Sequence, residues 1–256
     1  MKDKRSDYST LRKQIAACTR IMNMEGLIDY SGHISVRLPH NDGILIQSYD
    51  DSRATLEPDR LLVCDLKGNV ILGPEKAAPP REVFIHTQIL AARPDISAIA
   101  HFHPEIATMF TLVDNQNLVP VRNHASRWST GIPVHPDPGH INTTASGSAL
   151  AETLGVCNAA LMRAHGAVVC AESVPSLLID CVHFEENASA LFRAAALGDV
   201  TGLSKTEMEQ FLSRFNRNAH VNKLWKYYAE RAVSADVIPR SWSEALFVSD
   251  ILDWSG

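Results

Sequence analysis

Ile96-Ser97-Ala98-Ile99-Ala100-His101-Phe102-His103 is the segment from which the rest of the chain can be read. It is short for a helix, almost wholly apolar until two histidines close it, and stopped by Pro104, so it reads as a buried strand. Ahead of it, Arg81 to Ala92 is predicted as a helix, entered through Pro79 and Pro80 and closed before Pro94. After it come a predicted helix near Pro104 to Leu112 and a polar loop that includes Val119 to Val134. Ala159 to Ala164 is a second apolar run, ending at His165-Gly166, and Ala167 to Cys170 continues as strand.

The outer segments complete the pattern. Ser9 to Met24 spaces Leu11, Ile15, Cys18 and Met22 for one buried helix face, with Gly26 ending the helix. His33 to Leu38, Gly43 to Gln47, Arg60 to Asp65 and Val70 to Leu72 read as short strands, the last two joined by the Lys67-Gly68-Asn69 turn. Asn142 to Ser148 leads into a short helix ending near Gly155. Ser173 is placed to cap a helix from Pro175 to Leu197, and Ser204 with Glu207 has the capping-box pattern for another helix running towards Val233. Helices at both ends with strands between them imply a mixed or antiparallel central sheet covered by helices. No repeat or linker divides the chain, so residues 1–233 are expected to form one domain. Residues 234–256 form a tail whose Trp242, Phe247 and Trp254 need a partner on the domain or on a neighbouring subunit.

Composition excludes several classes. At 256 residues, 45% hydrophobic and 21% charged, the chain can bury a full core and is neither disordered nor a disulfide scaffold. A net charge of -5 with scattered basic residues argues against nucleic acid as a partner, and the absence of a long apolar run argues against a membrane span. Five cysteines without CxxC spacing suit reduced thiols, so a cytoplasmic location is expected.

Because side chains alternate across a strand, His101 and His103 project from the same face, close enough to hold one ion. The pair alone equally fits one surface and one packing histidine. His165, ending the other apolar run beside Gly166, could add a third imidazole, although alone it also reads as a core histidine. Three imidazoles on rigid strands leave positions open for substrate, the arrangement of a catalytic metal site. Glu82, at the head of the 81–92 helix, is a candidate acid/base, though glutamate in a first helical turn is commonplace.

Together these segments resemble the class II aldolase/adducin family. The matching pieces are Gly32-His33-Ile34-Ser35-Val36-Arg37, Glu82 with His86, His101-Phe102-His103-Pro104, and His165-Gly166, within a resemblance running from about Leu11 to Val233. The resemblance implies an α/β (αβα) fold with a central, largely antiparallel sheet flanked by helices, and a homo-oligomer, usually a tetramer, with active sites at subunit boundaries. It also implies one divalent metal ion per subunit on His101, His103 and His165, with Glu82 as the catalytic acid/base. Such a donor set admits zinc, manganese, iron or cobalt.

The chain departs from the sugar-phosphate aldolases of the family. It has His33 where they have Asn, no Thr-Gly pair around Leu56 to Asp59, and Pro80-Arg81 in place of Ser-Ser before the glutamate. An arginine fork beside a metal suits a carboxylate better than a phosphate, so a small-molecule carboxylate substrate is expected, with Arg81 and His33 as substrate-binding residues. That departure resembles the family's decarboxylases of hydroxylated aromatic or pyridine acids. The proton donor in such a reaction would be Glu82, with its pKa raised by an enclosed site. An aldolase or epimerase acting on a non-phosphorylated hydroxy-carbonyl compound is the alternative enzyme. A metal-free, adducin-like interaction module is a third reading, disfavoured by the presence of all three candidate ligands.

Among the remaining polar residues, His86 lies one turn after Glu82 on the same helix face and is expected to be an orienting residue rather than a ligand. Asn123, His124 and Arg127 are read as a solvated loop that could reach a neighbour's site. Tyr227 and Tyr228 are read as packing residues, His135 and His140 as turn residues, and Glu185 and Glu186 as a solvated helix face.

Overall fold

In the computed structural model, residues 8–39 and 43–246 are described. The segment 98–102 is strand β5 at the middle of a sheet. With β1 (His33–Arg37), β2 (Ile44–Ile46), β3 (Leu62–Cys64), β4 (Val70–Leu72), β6 (Val134–His135), β7 (Ala159–Met162) and β8 (Gly166–Ala171), the sheet order is β4-β3-β2-β1-β5-β8-β7-β6. Neighbours are antiparallel except β6 and β7.

Alternation divides the sheet into two faces. Ile34, Val36, Ala98, Ala100 and Phe102 join one core, under α1 (Ser9–Met24) and α5 (Val174–Ala195). Ile99, Val168 and Cys170 join the other, under α2 (Val83–Ala92) and α4 (Thr144–Leu154). The result is the αβα sandwich expected from the family resemblance. His101 falls between Ala100 and Phe102 and therefore points to the α2 face, as do His33 and Ser35 of β1. The register sets His33 directly opposite His101 and His101 opposite Val168.

Two glycines allow the close approach that this register needs. Gly32 has φ +89, and a Cβ there would lie 2.8 Å from Ile28 Cγ2 and 3.1 Å from the His101 carbonyl oxygen. A Cβ on Gly166 would lie 2.5 Å from the Phe102 carbonyl oxygen and 2.7 Å from His103 Cδ2. Arg37 fastens the sheet to the helix above it. Its guanidinium donates to the carbonyl oxygens of Leu90 (2.6 Å), Arg93 (3.1 Å) and Ile96 (3.2 Å), closing the end of α2.

Several boundaries differ from expectation. α2 begins at Val83, with Glu82 as its cap residue, because the chain is still turning through Pro80 and Arg81. The helix near Pro104 is the short α3 (Glu105–Met109). The helix predicted from Ser204 to Val233 is two, α6 (Lys205–Leu212) and α7 (Arg217–Ser234), because Asn216 starts a new one by accepting the Ala219 N–H (3.0 Å). The 119–134 loop holds a 3-10 turn at Asn123–Trp128 and ends in β6, whose parallel pairing has no local sequence signal. α8 (Ser243–Leu246) packs on α1, and Trp225 Nε1 donates to the Leu246 carbonyl (2.8 Å). Trp242 is buried beneath the Arg20 guanidinium, 4.9 Å from its ring centre. Phe247 and Trp254 lie outside the described residues. No helix among the described residues is long and apolar enough to cross a membrane.

The close approach at Gly166 yields a test. Gly166→Ala should cost about 1–3 kcal/mol in urea unfolding by forcing β8 from β5. Because the clash includes His103, it should also weaken binding of a divalent ion; unchanged stability would contradict the packing described.

Candidate functional site

β5 delivers His101 and, one residue past its end, His103; the β7–β8 turn delivers His165 just before Gly166. The three rings meet with centroids 5.0 Å (His101–His103), 5.0 Å (His101–His165) and 5.4 Å (His103–His165) apart. One nitrogen from each lies within 4.8 Å of the others, a spacing that could hold a metal ion. Ring orientation supports the same use. His101 Nδ1 donates to the Ala167 carbonyl (3.1 Å), which leaves Nε2 as a bare acceptor, and that atom is buried with no hydrogen-bond partner. His103 Nδ1 donates to Ser31 Oγ (3.0 Å), which donates on to Asp29 Oδ1 (3.0 Å), so its Nε2 is also free to ligate. Burial, then the charges of the neighbouring imidazoles, holds His103 down at about 4 and lowers His165, keeping both neutral and able to bind a cation.

Glu82 reaches this cluster from the head of α2. Its Oε2 lies 3.5 Å from His101 Nε2 and 4.0 Å from His33 Nε2, while Oε1 lies 3.7 Å from His165 Nε2 and 3.5 Å from His140 Nδ1. The backbone N–H of Ile141 donates to Oε1 (3.0 Å). Two electron-rich atoms, His101 Nε2 and Glu82 Oε2, thus face one another below the surface, and a positive centre is needed between or beside them. The donor set of nitrogens beside a carboxylate fits a divalent transition metal.

The expected rise in the Glu82 pKa is not found. Burial does push it up, but His101 and His165, whenever they carry a proton beside it, and the Ile141 N–H together outweigh burial and hold it down at about 2. Glu82 is therefore ionised at neutral pH and stands as a base.

A buried relay adjoins it. Ser35 Oγ bonds His86 Nδ1 (2.7 Å), and His86 Nε2 bonds His33 Nδ1 (2.7 Å). Only one direction satisfies both ends, since Glu82 can only accept and Ser35 Oγ has no other partner among the described residues. Ser35 donates to His86, His86 to His33, and the remaining His33 Nε2–H points towards Glu82. His33 thus opens strand β1, as its alternating segment implied, and His86, read as an orienting residue, is bonded to His33.

Other expectations sort by location. Arg81 is exposed, with its guanidinium 5.4 Å from the Tyr49 ring centre. His140, read as a turn residue, lies beside Glu82, while His135 is buried on β6 and bonded to Thr153 (2.9 Å). Glu185, read as solvated, caps α3 by accepting the N–H groups of Ile106 (2.8 Å) and Ala107 (3.0 Å). Arg127 is tied to Asp180 and Glu172, both at 3.0 Å, and points away from any solvated role. Tyr227 is half exposed and Tyr228 packs on the core. Asp29 and Ser31 were missed; the turn-forming Asp29-Tyr30-Ser31-Gly32 run was their available signal. The Ile141 N–H carries no side-chain signal.

Residues 13–192 match the class II aldolase and adducin N-terminal domain, and the chain belongs to that family. It is 24% identical over 243 residues to a 3,4-dihydroxyphthalate decarboxylase of Arthrobacter keyseri, covering 89% of this chain and 96% of that protein. Over 187 residues it is 28% identical to a 5-methylthioribulose-1-phosphate/5-deoxyribulose-1-phosphate aldolase of Rhodospirillum rubrum, covering 72% and 81% respectively. Its fold matches that of an L-fuculose 1-phosphate aldolase from Glaciozyma antarctica with a TM-score of 0.77 at 17% identity, covering 92% of this chain and 93% of that one.

The depressed Glu82 pKa has a consequence for stability. A carboxyl lowered on folding stabilises the fold above its unfolded value and loses that contribution as pH falls towards the folded value. In metal-stripped protein, the stability advantage of wild type over Glu82→Gln should therefore shrink as pH falls from about 5 to about 2 in urea unfolding. An advantage that grows on acidification would contradict the assigned environment.

Proposed function

We propose that this chain is a divalent-metal-dependent carbon–carbon lyase that decarboxylates a hydroxylated aromatic or heteroaromatic carboxylic or dicarboxylic acid. The observation that carries the reading is the ionised Glu82 carboxylate set against three convergent imidazoles, with Arg81 next to it in the chain. In this reading His101, His103 and His165 hold the ion, which when bound would supply a Lewis acid for the electron pair left by carbon–carbon cleavage. Arg81, exposed and resting over Tyr49, binds a second carboxylate of the substrate through its planar fork. The His33 N–H, aimed by Ser35 and His86, donates to a substrate oxygen.

The resting charge of Glu82 sets the order of proton transfers. Glu82 takes the proton of the substrate hydroxyl group. The bond to the carboxylate carbon breaks, carbon dioxide leaves, and the electron pair stays on the ring carbon. Glu82 then returns the proton to that carbon, so the enzyme ends as it began. A carboxyl kept ionised can thus act as the proton donor late in the cycle, having been charged by the substrate itself. The Arthrobacter relative bears the name of such a decarboxylase and matches almost the whole chain.

The Rhodospirillum relative bears the name of an aldolase, and this favours a second reading in which the same carboxylate moves the proton of a non-phosphorylated hydroxy-carbonyl substrate. In either case we take the assembly to be a homo-oligomer, a tetramer in the family's usual form. Leu112 and Val113, exposed just beyond α3, supply apolar surface for a neighbour near the site. Five free, buried cysteines fit a reducing cytoplasm.

The experiment is product analysis on the metal-loaded protein with ortho-hydroxy aromatic acids and, separately, hydroxy-carbonyl compounds. Carbon dioxide from the former is expected. Glu82→Gln should keep its metal and lose about 10²–10⁴-fold in turnover, while His103→Ala should lose both metal and activity. Aldehyde release alone would favour the aldolase, and a fully active Glu82→Gln would refute both readings.

A further inference from the structure

A second group of histidines lies apart from the site described above. His124 belongs to the 3-10 turn 123–128, His183 and Glu186 project from α5 three residues apart, and His220 comes from α7. The His124 and His183 rings stack with centroids 3.9 Å apart, and the His183 and His220 centroids are 5.3 Å apart. His124 Nε2 lies 3.7 Å from Glu186 Oε2. One ligand-capable atom from each of His124, His183 and Glu186 falls within 4.8 Å of the others. The three histidines help to wall a cavity of about 220 Å³ that is also lined by Phe211 and Phe215, the latter against His220.

Two ring nitrogens of this histidine group lack partners. His124 Nε2 and His220 Nε2 are both buried without a hydrogen-bond partner, a costly state for two nitrogens in one small space. Burial, then nearby positive charge, holds His124 at about 4 and His183 at about 3, so both rings are neutral and offer lone pairs at neutral pH. The arginines in the wall do not make it an anion site. Arg217 is bound to Glu172 (2.7 Å) and Asp180 (2.8 Å), and Arg127 to the same two carboxylates. Arg122 touches Glu186 only loosely, at 3.8 Å.

We propose that His124, His183 and Glu186 bind a second divalent transition-metal ion, with His220 beside them, distinct from the ion assigned to His101, His103 and His165. Two imidazoles and a carboxylate select zinc, cobalt or nickel over calcium or magnesium. The partly exposed Glu186 gives the ion a route in. The ion would add to the side-chain ties between this turn and α5: Arg127 Nε donates to Asp180 Oδ2 (3.0 Å), and just ahead of the turn Asn187 Oδ1 accepts the N–H groups of Val121 (2.9 Å) and Arg122 (3.3 Å). This is a structural role, and no chemical step is assigned to it.

The test is cobalt binding by full-length protein stripped with a chelator and dialysed against Co²⁺, with and without His183→Gln, in both wild-type and His103→Ala backgrounds. Each His183→Gln protein should hold one equivalent of cobalt fewer than its parent, whatever the state of His103, and should lose part of the visible absorption of nitrogen-bound cobalt. Glu186→Gln, at a half-exposed position that does not threaten folding, should weaken that equivalent at least tenfold. Equal stoichiometry with and without His183→Gln, in proteins with unchanged circular dichroism, would overturn the proposal and leave the cavity to water. Because the readout is a difference within each background, failure of the first metal site would not mask failure of the second.

Discussion

His101 Nε2 and Glu82 Oε2 confront one another at 3.5 Å, both out of reach of bulk water, and the rest of the molecule keeps them there. Two acceptors so placed repel unless a proton or a metal cation joins them. The imidazole cannot turn away, because its other nitrogen is spent on the Ala167 carbonyl of the adjacent strand. The carboxylate cannot turn away either, because the Ile141 N–H grips its second oxygen. A fold that merely needed a core would have filled this place with hydrocarbon, as it does two residues earlier on the same face at Ile99.

The segment 32–37 shows how one short run of chain serves both fold and site. Gly32 lets β1 come down on the His101 carbonyl, and its own carbonyl is held by Gln47 (3.0 Å) and Arg53 (3.0 Å). His33 and Ser35 face α2 and are joined there through His86, while Ile34 and Val36 face the opposite core. Arg37 then locks the far end of α2. Glu82 and Arg37 thus act at the two ends of one ten-residue helix, which places the carboxylate by the same contacts that dock the helix. A strand position for His101, strand-end positions for His103 and His165 and a helix end for the carboxylate give the fixed arrangement that metal-assisted chemistry would require.

Much of this was legible in the chain itself. Alternation in 96–103 placed His101 and His103 on one face, and Gly166 beside His165 signalled close backbone approach; both follow from local geometry, where period and residue size decide the outcome. Ser9–Met24 was readable to the residue because its apolar spacing and terminating Gly26, at φ +71, agree. What escaped depends on contacts distant in sequence. The sign of the Glu82 shift is set by residues 19 and more positions away, which outweigh the burial that position alone suggested. Glu185 looked solvated because nothing near it in the chain reveals that the N-terminus of α3 sits above it. The break between α6 and α7 was hidden because a capping Asn216 inside a polar run resembles any other surface residue until the helix axis is seen to change. Family membership bridged part of this gap for the metal cluster, but it could not supply the Ser35–His86–His33 direction or the Asp29–Ser31 support of His103.

The central claim is that His101, His103 and His165 converge on one cation next to Glu82. Anomalous diffraction from crystals of the protein grown with manganese or zinc measures this directly. The account predicts a single anomalous peak with a nitrogen of each of the three imidazoles about 2.0–2.3 Å away and Glu82 beside it. A peak ligated by fewer than two of those histidines, or none at the cluster in protein saturated with the ion, would contradict it.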